Sequence, residues 1–363
     1  MKVKLKDVCT FYTGTGFPKQ YQGQLSGTYP FYKVGDIANN VVSGKIYLEQ
    51  CNNYISEETL ELIKGSIVPK NTVVFAKIGE ALKLNRRAIT STACLIDNNA
   101  MGIAAKSDEL RTLFFYYFMR NIKMELLAES TTVPSVRKSR LEAYEIDIPS
   151  LDEQEIIERK LTILSRMINL KEKQLLKLDE LVKARFVEMF GEIDDCDRWK
   201  SKIWNEVVTI QNGRDYKKVL VNDGGYPVVG TGGEIARASG YLCPENTIVV
   251  GRKGSINNPM LIKEKFWNVD TAFGVIPNSD YLHYQYFYYF CKFYNFMKLN
   301  KATTLPSTTK ADLLKIRINI PPLELQNEFA SFVQEIDKSR SRIQKSLEAS
   351  QELFDSLMQE YFG

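Results

Sequence analysis

The sequence predicts an α+β protein: two tandem β-rich domains, each followed by a long helix, forming a pseudo-twofold internal repeat. Two observations predict it. The stretch SLDEQEIIERKLTILSRMINLKEKQLLKLDELVKARFVEMFG, residues 150–191, returns at the end of the chain as PLELQNEFASFVQEIDKSRSRIQKSLEASQELFDSLMQEYFG. The segments ahead of each copy are rich in β-branched and aromatic residues broken by glycine, proline and asparagine, the composition of short strands and turns.

The register of the repeat is legible by subtraction. Pro149 and Pro321, Gln154 and Gln326, and Gly191 and Gly363 are each 172 residues apart. The match runs backwards through Ala100, Gly102 and Ser107-Asp108 (Ala272, Gly274, Ser279-Asp280), Phe115–Phe118 (Phe287–Phe290) and Thr131–Ser135 (Thr303–Ser307). Earlier the offset drifts, to 175 for Pro69, Asn71 and Thr72 against Pro244, Asn246 and Thr247, and to 197 for Tyr29-Pro30 against Tyr226-Pro227. Each unit thus has a variable front and a register-locked back. A period this long is a duplicated domain; solenoid units run roughly 20–50 residues.

The repeated back segment reads as a helix of about 40 residues, roughly 60 Å long. Ser150 and Glu153 make a capping box, Gly191 supplies the left-handed stop, and Pro322 in the second copy suits a first helical turn. Apolar residues at three-then-four spacing form a heptad seam: Leu161, Leu164, Ile168, Leu175, Leu178 and Val182, matched by Val333, Ile336, Ile343, Leu347, Phe354 and Leu357. Lys171, Arg185 and Arg340 interrupt it, as polar residues that fix register do. Helices this long overrun a domain of this size, so the two are expected to pair with each other; the alternative is that each packs only on its own domain.

Composition frames the function. The 363 residues, 44% hydrophobic, suffice for two domains with cores. No apolar run has the length of a membrane span, and MKVKLKDV lacks a signal-peptide core, so a cytoplasmic protein is expected. Six scattered cysteines, Cys9, Cys51, Cys94, Cys196, Cys243 and Cys291, contain no C-x-x-C pair and read as reduced thiols without structural zinc. A net charge of +4 and a pI near 8.5 permit nucleic acid as a partner.

In chain order, the predicted domains are residues 1–149, the central helix 150–191, an acidic linker 192–200, a second domain 201–321 and the C-terminal helix 322–363. Each domain opens with a short helix-like patch, VKLKDVCTFYTG or SKIWNEVVTIQNG. Strands are expected at Phe31–Val34, Ile67–Ala76 and Thr92–Ile96, and at Pro227–Gly230, Thr247–Gly251 and Ala272–Ile276. An aromatic helix then starts near Asp108 or Asp280, followed by a loop with Pro134 or Pro306 and a last strand, Glu145–Ile148 or Ile316–Ile320.

Several motifs carry no chemistry. Gly14-Thr15-Gly16 and Thr231-Gly232-Gly233 match neither a dinucleotide fingerprint nor a P-loop. Asn258-Pro259-Met260-Leu261 resembles the start of an amino-methyltransferase tetrapeptide but lacks the second proline and the aromatic, and reads as a turn. His283, the single histidine, reads as a satisfied surface or interface group, and no paired carboxylates stand out for acid–base work. The aromatic runs Phe114–Phe118 and Phe287–Phe290 read as core.

What remains is basic side chains on glycine-bearing turns after strands, in VVFAKIGEALKLNRR and IVVGRKGSINNPMLIK. Lys77, Lys83, Arg86, Arg87, Lys217, Lys218, Arg237, Arg252 and Lys253 lie in the variable fronts; Arg137, Lys138 and Lys310 follow the TTVPS and TTLPS loops. Lysine and arginine serve phosphates, and varied loops serve base edges, so the set points to DNA.

The doubled T-T-x-P-S loop, the I-x-I-P-x-L-x-x-Q junction (from Ile146 and Ile318) and the long helices ending in F-G together resemble the specificity subunit of type I restriction–modification systems, over nearly the whole chain. The resemblance implies two target recognition domains, an antiparallel coiled coil, and an asymmetric bipartite double-stranded DNA target. It implies two adenine-methyltransferase modification subunits and restriction/translocase subunits as partners, with S-adenosylmethionine, ATP and magnesium used there and no cofactor, metal or catalytic residue in this chain. A stiff helical ruler would hold half-sites about one DNA turn, roughly 34 Å, apart. The rival readings are a DNA-independent coiled-coil adaptor, which would show no salt-sensitive DNA binding, and a stand-alone DNA-modifying enzyme, which would be active alone.

Overall fold

The structure is a computed structural model that describes residues 2–129, 132–194, 198–301 and 304–363. Thr131, Thr303, Cys196 and the middle of the 192–200 linker lie outside the described residues. Five helices frame the fold: α1 (Val34–Val42), α2 (Thr112–Asn121), α3 (Leu151–Phe190), α4 (Tyr284–Phe293) and α5 (Leu323–Phe362). The chain divides into two compact units, residues 1–173 with 345–363, and residues 174–344.

The long helices begin and end where local chemistry directs. Ser150 N–H and Oγ both donate to Glu153 while Glu153 N–H returns to Ser150 Oγ, so the capping box closes. At the other end Gly191, at φ 86°, donates to Val187 O at 2.8 Å.

In the first unit the strands are β1 (Lys2–Lys4), β2 (Cys9–Thr13), β3 (Tyr29–Tyr32), β4 (Tyr47–Leu48), β5 (Tyr54–Ile55), β6 (Val73–Ala76), β7 (Arg87–Thr90), β8 (Leu95–Ile96), β9 (Ala100–Ala105) and β10 (Glu145–Asp147). They form a five-stranded sheet β2-β9-β6-β7-β4, a three-stranded sheet β5-β3-β8 and the pair β1-β10. The second unit has β11 (Ser201–Ile203), β12 (Val208–Asn212), β13 (Leu220–Val221), β14 (Tyr226–Gly230), β15 (Gly233–Ala238), β16 (Thr247–Gly251), β17 (Met260–Ile262), β18 (Trp267–Asn268), β19 (Ala272–Pro277) and β20 (Arg317–Asn319). These order as β12-β19-β16-β17, β13-β15-β14-β18 and β11-β20. The same plan therefore folds twice.

Three local expectations are corrected. The N-terminal patches are each a strand, one helical turn and a second strand (Leu5–Val8 and Trp204–Val207 are the turns), because Cys9–Thr13 and Val208–Asn212 find antiparallel partners in β9 and β19. The predicted strand at Phe31–Val34 stops at Tyr32: Asp36 accepts from Lys33 N–H at 2.8 Å and starts α1. Helices α2 and α4 start four residues later than Asp108 and Asp280. The drift in offset has a visible cause: after β3 the chain makes α1, whereas after β14 it turns through Thr231-Gly232 straight into β15. That tight hairpin accounts for the Thr231-Gly232-Gly233 run. Gly14 answers to close packing instead, since a Cβ there would lie 1.7 Å from Asp97 O, and Gly213 has the same conflict at 1.8 Å with Val269 O.

Both cores are aromatic and both are closed by the long helices. Phe114, Phe115 and Tyr117 of α2 bury against Leu161 of α3 and Phe354 and Met358 of α5 in the first unit. In the second, Tyr286 and Phe287 of α4 bury with Trp204, Phe186 and Phe190 of α3 and Phe329 and Val333 of α5. The Phe186 and Tyr286 rings stack with centroids 5.6 Å apart. Each unit thus uses one half of each helix, so pairing and domain packing, posed above as alternatives, coexist. The pairing is antiparallel. In the first unit Lys160 Nζ bonds Tyr361 OH at 3.0 Å and Lys171 Nζ bonds Ser350 Oγ at 2.6 Å. In the second, Arg340 meets Asp179 at 2.9 Å and Arg185 meets Glu328 at 2.7 Å. The three polar interruptions of the seam are all partnered.

Candidate nucleic-acid interface

The glycine-bearing turns are built the same way in both units. Lys77 follows β6; its N–H donates to Asn99 O at 2.8 Å, and its carbonyl accepts from Val136 N–H at 2.9 Å. Gly79, at φ 80°, donates to Pro134 O at 2.8 Å, and Ile78 forms a bridge with Ser135. In the second unit Arg252 N–H donates to Thr271 O at 2.8 Å and its carbonyl accepts from Thr308 N–H at 3.0 Å. Gly254, at φ 79°, donates to Pro306 O at 2.9 Å, and Lys253 bridges Ser307. The proline-serine loop is thus a clip that pins the basic turn. Such a turn presents its side chains with little backbone entropy left to lose.

The clip brings Lys77 together with the loop of Arg137 and Lys138, and Arg252 and Lys253 with the loop of Lys310. Lys253 is exposed with no side-chain partner among the described residues. Arg252, also exposed, lies over the Phe273 ring at 5.9 Å. Arg137 pairs with Glu129, Lys138 reaches Glu142 at 3.5 Å, and Lys310 Nζ bonds Ile210 O at 2.8 Å.

Other members of the predicted set fall elsewhere. Lys217 and Lys218 are exposed on a 3-10 turn (Lys217–Val219) ahead of β13, and Arg237 on β15 pairs with Glu234 at 2.8 Å. Lys83 pairs with Glu80 at 2.8 Å, a hydrogen bond that raises its pKa. Arg86 lines a cleft of about 350 Å³ with Arg120, Ser165 and Ile168.

Arg87 is a correction. It is 2% exposed, and its guanidinium donates to the carbonyls of Met119 and Ile122 at the end of α2 and to Asn85 Oδ1, over the Phe75 ring. Burial pulls its pKa down to about 9. Arg87 closes a helix terminus and does not reach a phosphate.

Of the seam residues, Leu161, Val182, Val333 and Phe354 are buried; Leu164, Ile168, Leu175, Leu178, Ile336, Ile343, Leu347 and Leu357 are half-buried. Residues the sequence reading passed over include Lys19, on the 3-10 turn Lys19–Tyr21 that follows β2 as Lys217–Val219 follows β12, and Lys33, 5.6 Å over the Phe17 ring. The two turns are 198 residues apart, one more than the 197-residue offset of Tyr29-Pro30, which sets Lys19 against Tyr216 and so hides the match of Lys19 to Lys217.

The junction glutamines are the other unpredicted feature. Gln154, fully buried, accepts from Arg111 N–H at 2.8 Å and donates to Glu109 O at 2.7 Å and Pro149 O at 3.0 Å. Gln326 repeats this with His283 N–H, Tyr281 O and Pro321 O. Each amide fixes the angle between a long helix and the aromatic helix packed on it.

His283 caps α4, its Nδ1 accepting from Gln285 N–H at 3.2 Å, and burial lowers its pKa below the ordinary histidine value. The neutral ring is the form the fold holds, so its contribution is complete above about pH 6.5 and is lost as pH falls through the lowered pKa. Protonation removes the acceptor, worth about 1 kcal/mol at an N-cap. The chain's stability to urea should fall between pH 7 and 5. His283→Asn, which caps without titrating, should flatten that window. Burial also pushes the thiols of Cys9, Cys94 and Cys243 up to about 12, leaving them unreactive at neutral pH.

Two β-rich units, each closed by paired helices and each presenting a clipped basic turn, define a duplicated two-module protein. A family profile described as "Type I restriction modification DNA specificity domain" matches residues 1–180 and 197–351, and the chain belongs to that family. Its members are specificity subunits, non-catalytic in themselves. The type I restriction enzyme MjaIX specificity subunit of Methanocaldococcus jannaschii is 22% identical over 402 residues, covering 98% of this chain and 90% of that protein. The crystal structure of the type I restriction-modification system S subunit from M. genitalium matches at a TM-score of 0.65 and 15% identity, covering 100% of this chain and 96% of that one. A structure titled for complex assembly and conformational transition of the type I R-M system matches at 0.59 and 16% identity, covering 100% and 97%. At such identities the likeness is one of fold.

Proposed function

We propose that this chain binds double-stranded DNA sequence-specifically in a type I restriction–modification complex, each unit reading one half of an asymmetric bipartite target. The carrying observation is the duplicated clipped turn, with Lys77 in one copy and Arg252-Lys253 in the other: like placement with unlike side chains suits two different half-sites. The differing fronts, α1 against the β14–β15 hairpin, support the same asymmetry. Two modification subunits and restriction/translocase subunits would assemble on the chain in the cytoplasm. S-adenosylmethionine, ATP and magnesium would act in those partners.

The test is a modified-base map of DNA from cells making this chain with its neighbouring methyltransferase subunit, against cells lacking this chain. Methyladenine in a split, asymmetric motif only when the chain is present is the expected result; identical maps would remove the recognition role. The helix pair is proposed to set the gap between half-sites. Because α3 and α5 pair antiparallel, an insertion must add a whole heptad to both, at the facing Lys171 and Ser350 region. It adds about 10 Å of helix. The mapped gap should lengthen by about 3 base pairs at 3.4 Å each, with both half-sites kept; an unchanged gap would refute the ruler.

A further inference from the structure

The internal repeat builds the same cleft twice and charges it differently. In the first unit a cleft of about 350 Å³ is walled by Tyr116 and Arg120 of α2, Ser165 and Ile168 of α3 and Gln351 of α5. In the second a cleft of about 400 Å³ is walled by Tyr288 and Lys292 of α4, Asp337 and Arg340 of α5 and Asp179 of α3. These positions correspond one to one, each pair 172 residues apart. Helices α3 and α5 exchange places between the units, so Gln351 answers to Asp179 and Ser165 to Asp337.

In the second cleft Asp179 takes Arg340 at 2.9 Å and Lys292 at 3.6 Å, so these cations are compensated within the unit. The first cleft keeps a cation, Arg120, where the second has Lys292, but holds a neutral side chain at both acidic positions. It adds Arg86, from the turn before β7. Arg86 is half-buried, with no side-chain hydrogen bond or ion pair among the described residues. Arg120 is half-buried too, over the Tyr116 and Phe354 rings at 5.8 and 5.2 Å, with no ion pair among the described residues. Arg87 lines the same cleft; burial first, and then the Arg120 charge, lower its pKa. Of the other charged lining residues, Lys45 is paired with Glu49 at 2.6 Å, and Glu172 is exposed, where water screens it. Half-buried guanidiniums that have given up hydration without gaining a counter-charge call for an anion.

We propose that the cleft of the first unit binds one small phosphate monoester, held by Arg86 and Arg120, and that the cleft of the second unit binds none. Guanidinium forks match phosphate oxygens bidentately, and a monoester, with a charge of about −1.5 to −2 at neutral pH, answers two unpaired cations. A backbone phosphodiester carries a single charge and belongs to a duplex too wide to enter a recess walled by α2, α3 and α5. The volume leaves room for a small organic group beside the phosphate. The site takes Arg86 for this ligand and does not depend on the DNA reading.

The test is calorimetric titration of the intact chain at about pH 8 with methyl phosphate, a dianion there, and with dimethyl phosphate, a monoanion of similar size that stands for the DNA backbone. Methyl phosphate should saturate at one per chain and bind roughly tenfold more tightly than dimethyl phosphate. Arg86→Gln should weaken it roughly tenfold. Gln351→Asp, at an exposed position, returns the acid that the second cleft has and should remove binding altogether. Circular dichroism of both variants should be unchanged, and methyl phosphate should raise the unfolding midpoint of the parent chain but not that of Gln351→Asp. Lys338→Gln, exposed on α5 and outside both clefts, should cost nothing. No saturable binding, two methyl phosphates per chain, or indifference to Arg86→Gln and Gln351→Asp overturns the proposal. Equal affinity for the two esters, with displacement by duplex DNA, would give Arg86 and Arg120 to the DNA backbone and overturn it equally.

Discussion

Replacing Arg252 and Lys253 together by alanine should weaken binding of the assembled complex to its cognate duplex roughly tenfold near 0.15 M salt, and reduce the slope of log K against log salt by about 1.8. Removing two phosphate-binding side chains from a clipped turn would do this without unfolding anything, because both side chains are exposed and the turn is held through its backbone. Competition titrations at several salt concentrations check it. A relaxed base preference at one position with an unchanged slope would place these side chains on base edges instead. Unchanged affinity and slope would take the clipped turn off the DNA. Arg87→Met is the contrasting control: it should lower stability through the two helix-end carbonyls it strands, and leave the salt slope alone.

Gln326→Ala should destabilise the second unit by about 2–4 kcal/mol, an unusually large cost for one polar side chain. The amide is fully buried, and its loss leaves His283 N–H and the carbonyls of Tyr281 and Pro321 without their partner. No neighbouring group can replace a side chain that both donates and accepts at one point. Gln326→Glu should fail nearly as badly, because a carboxylate keeps the acceptor but has neither N–H. Denaturant unfolding measures the loss, and hydrogen exchange should show the first turns of α5 opening earliest. A cost under about 1 kcal/mol would mean that water satisfies the junction. Gln154→Ala should behave alike in the first unit.

These residues mark how much was open to reading. The glutamines were visible as a repeated letter at a fixed offset, but repetition alone does not say what an amide holds. Arg87 and Arg86 are adjacent and chemically alike in sequence; Arg87, the first residue of β7, lies under the end of α2, while Arg86, in the turn just before that strand, lines a cleft, a difference set by what packs above each. Lys77 and Val136 are 59 positions apart, and no local pattern announces that their backbones meet.

By itself the sequence determined the duplication, the ends of the long helices and the seam along them, because capping, left-handed glycine and heptad spacing act over a few residues and are written where they act. It also determined that the fronts of the two units diverge. The tertiary structure alone decided that each core is closed by halves of both helices, that the basic turns are clipped by the proline-serine loops, and that Arg87 is held inside. Those outcomes depend on contacts between residues far apart in the chain. A contact of that kind forms only when the burial and hydrogen bonding it gains outweigh the entropy of ordering both partners, a balance that neither segment carries alone.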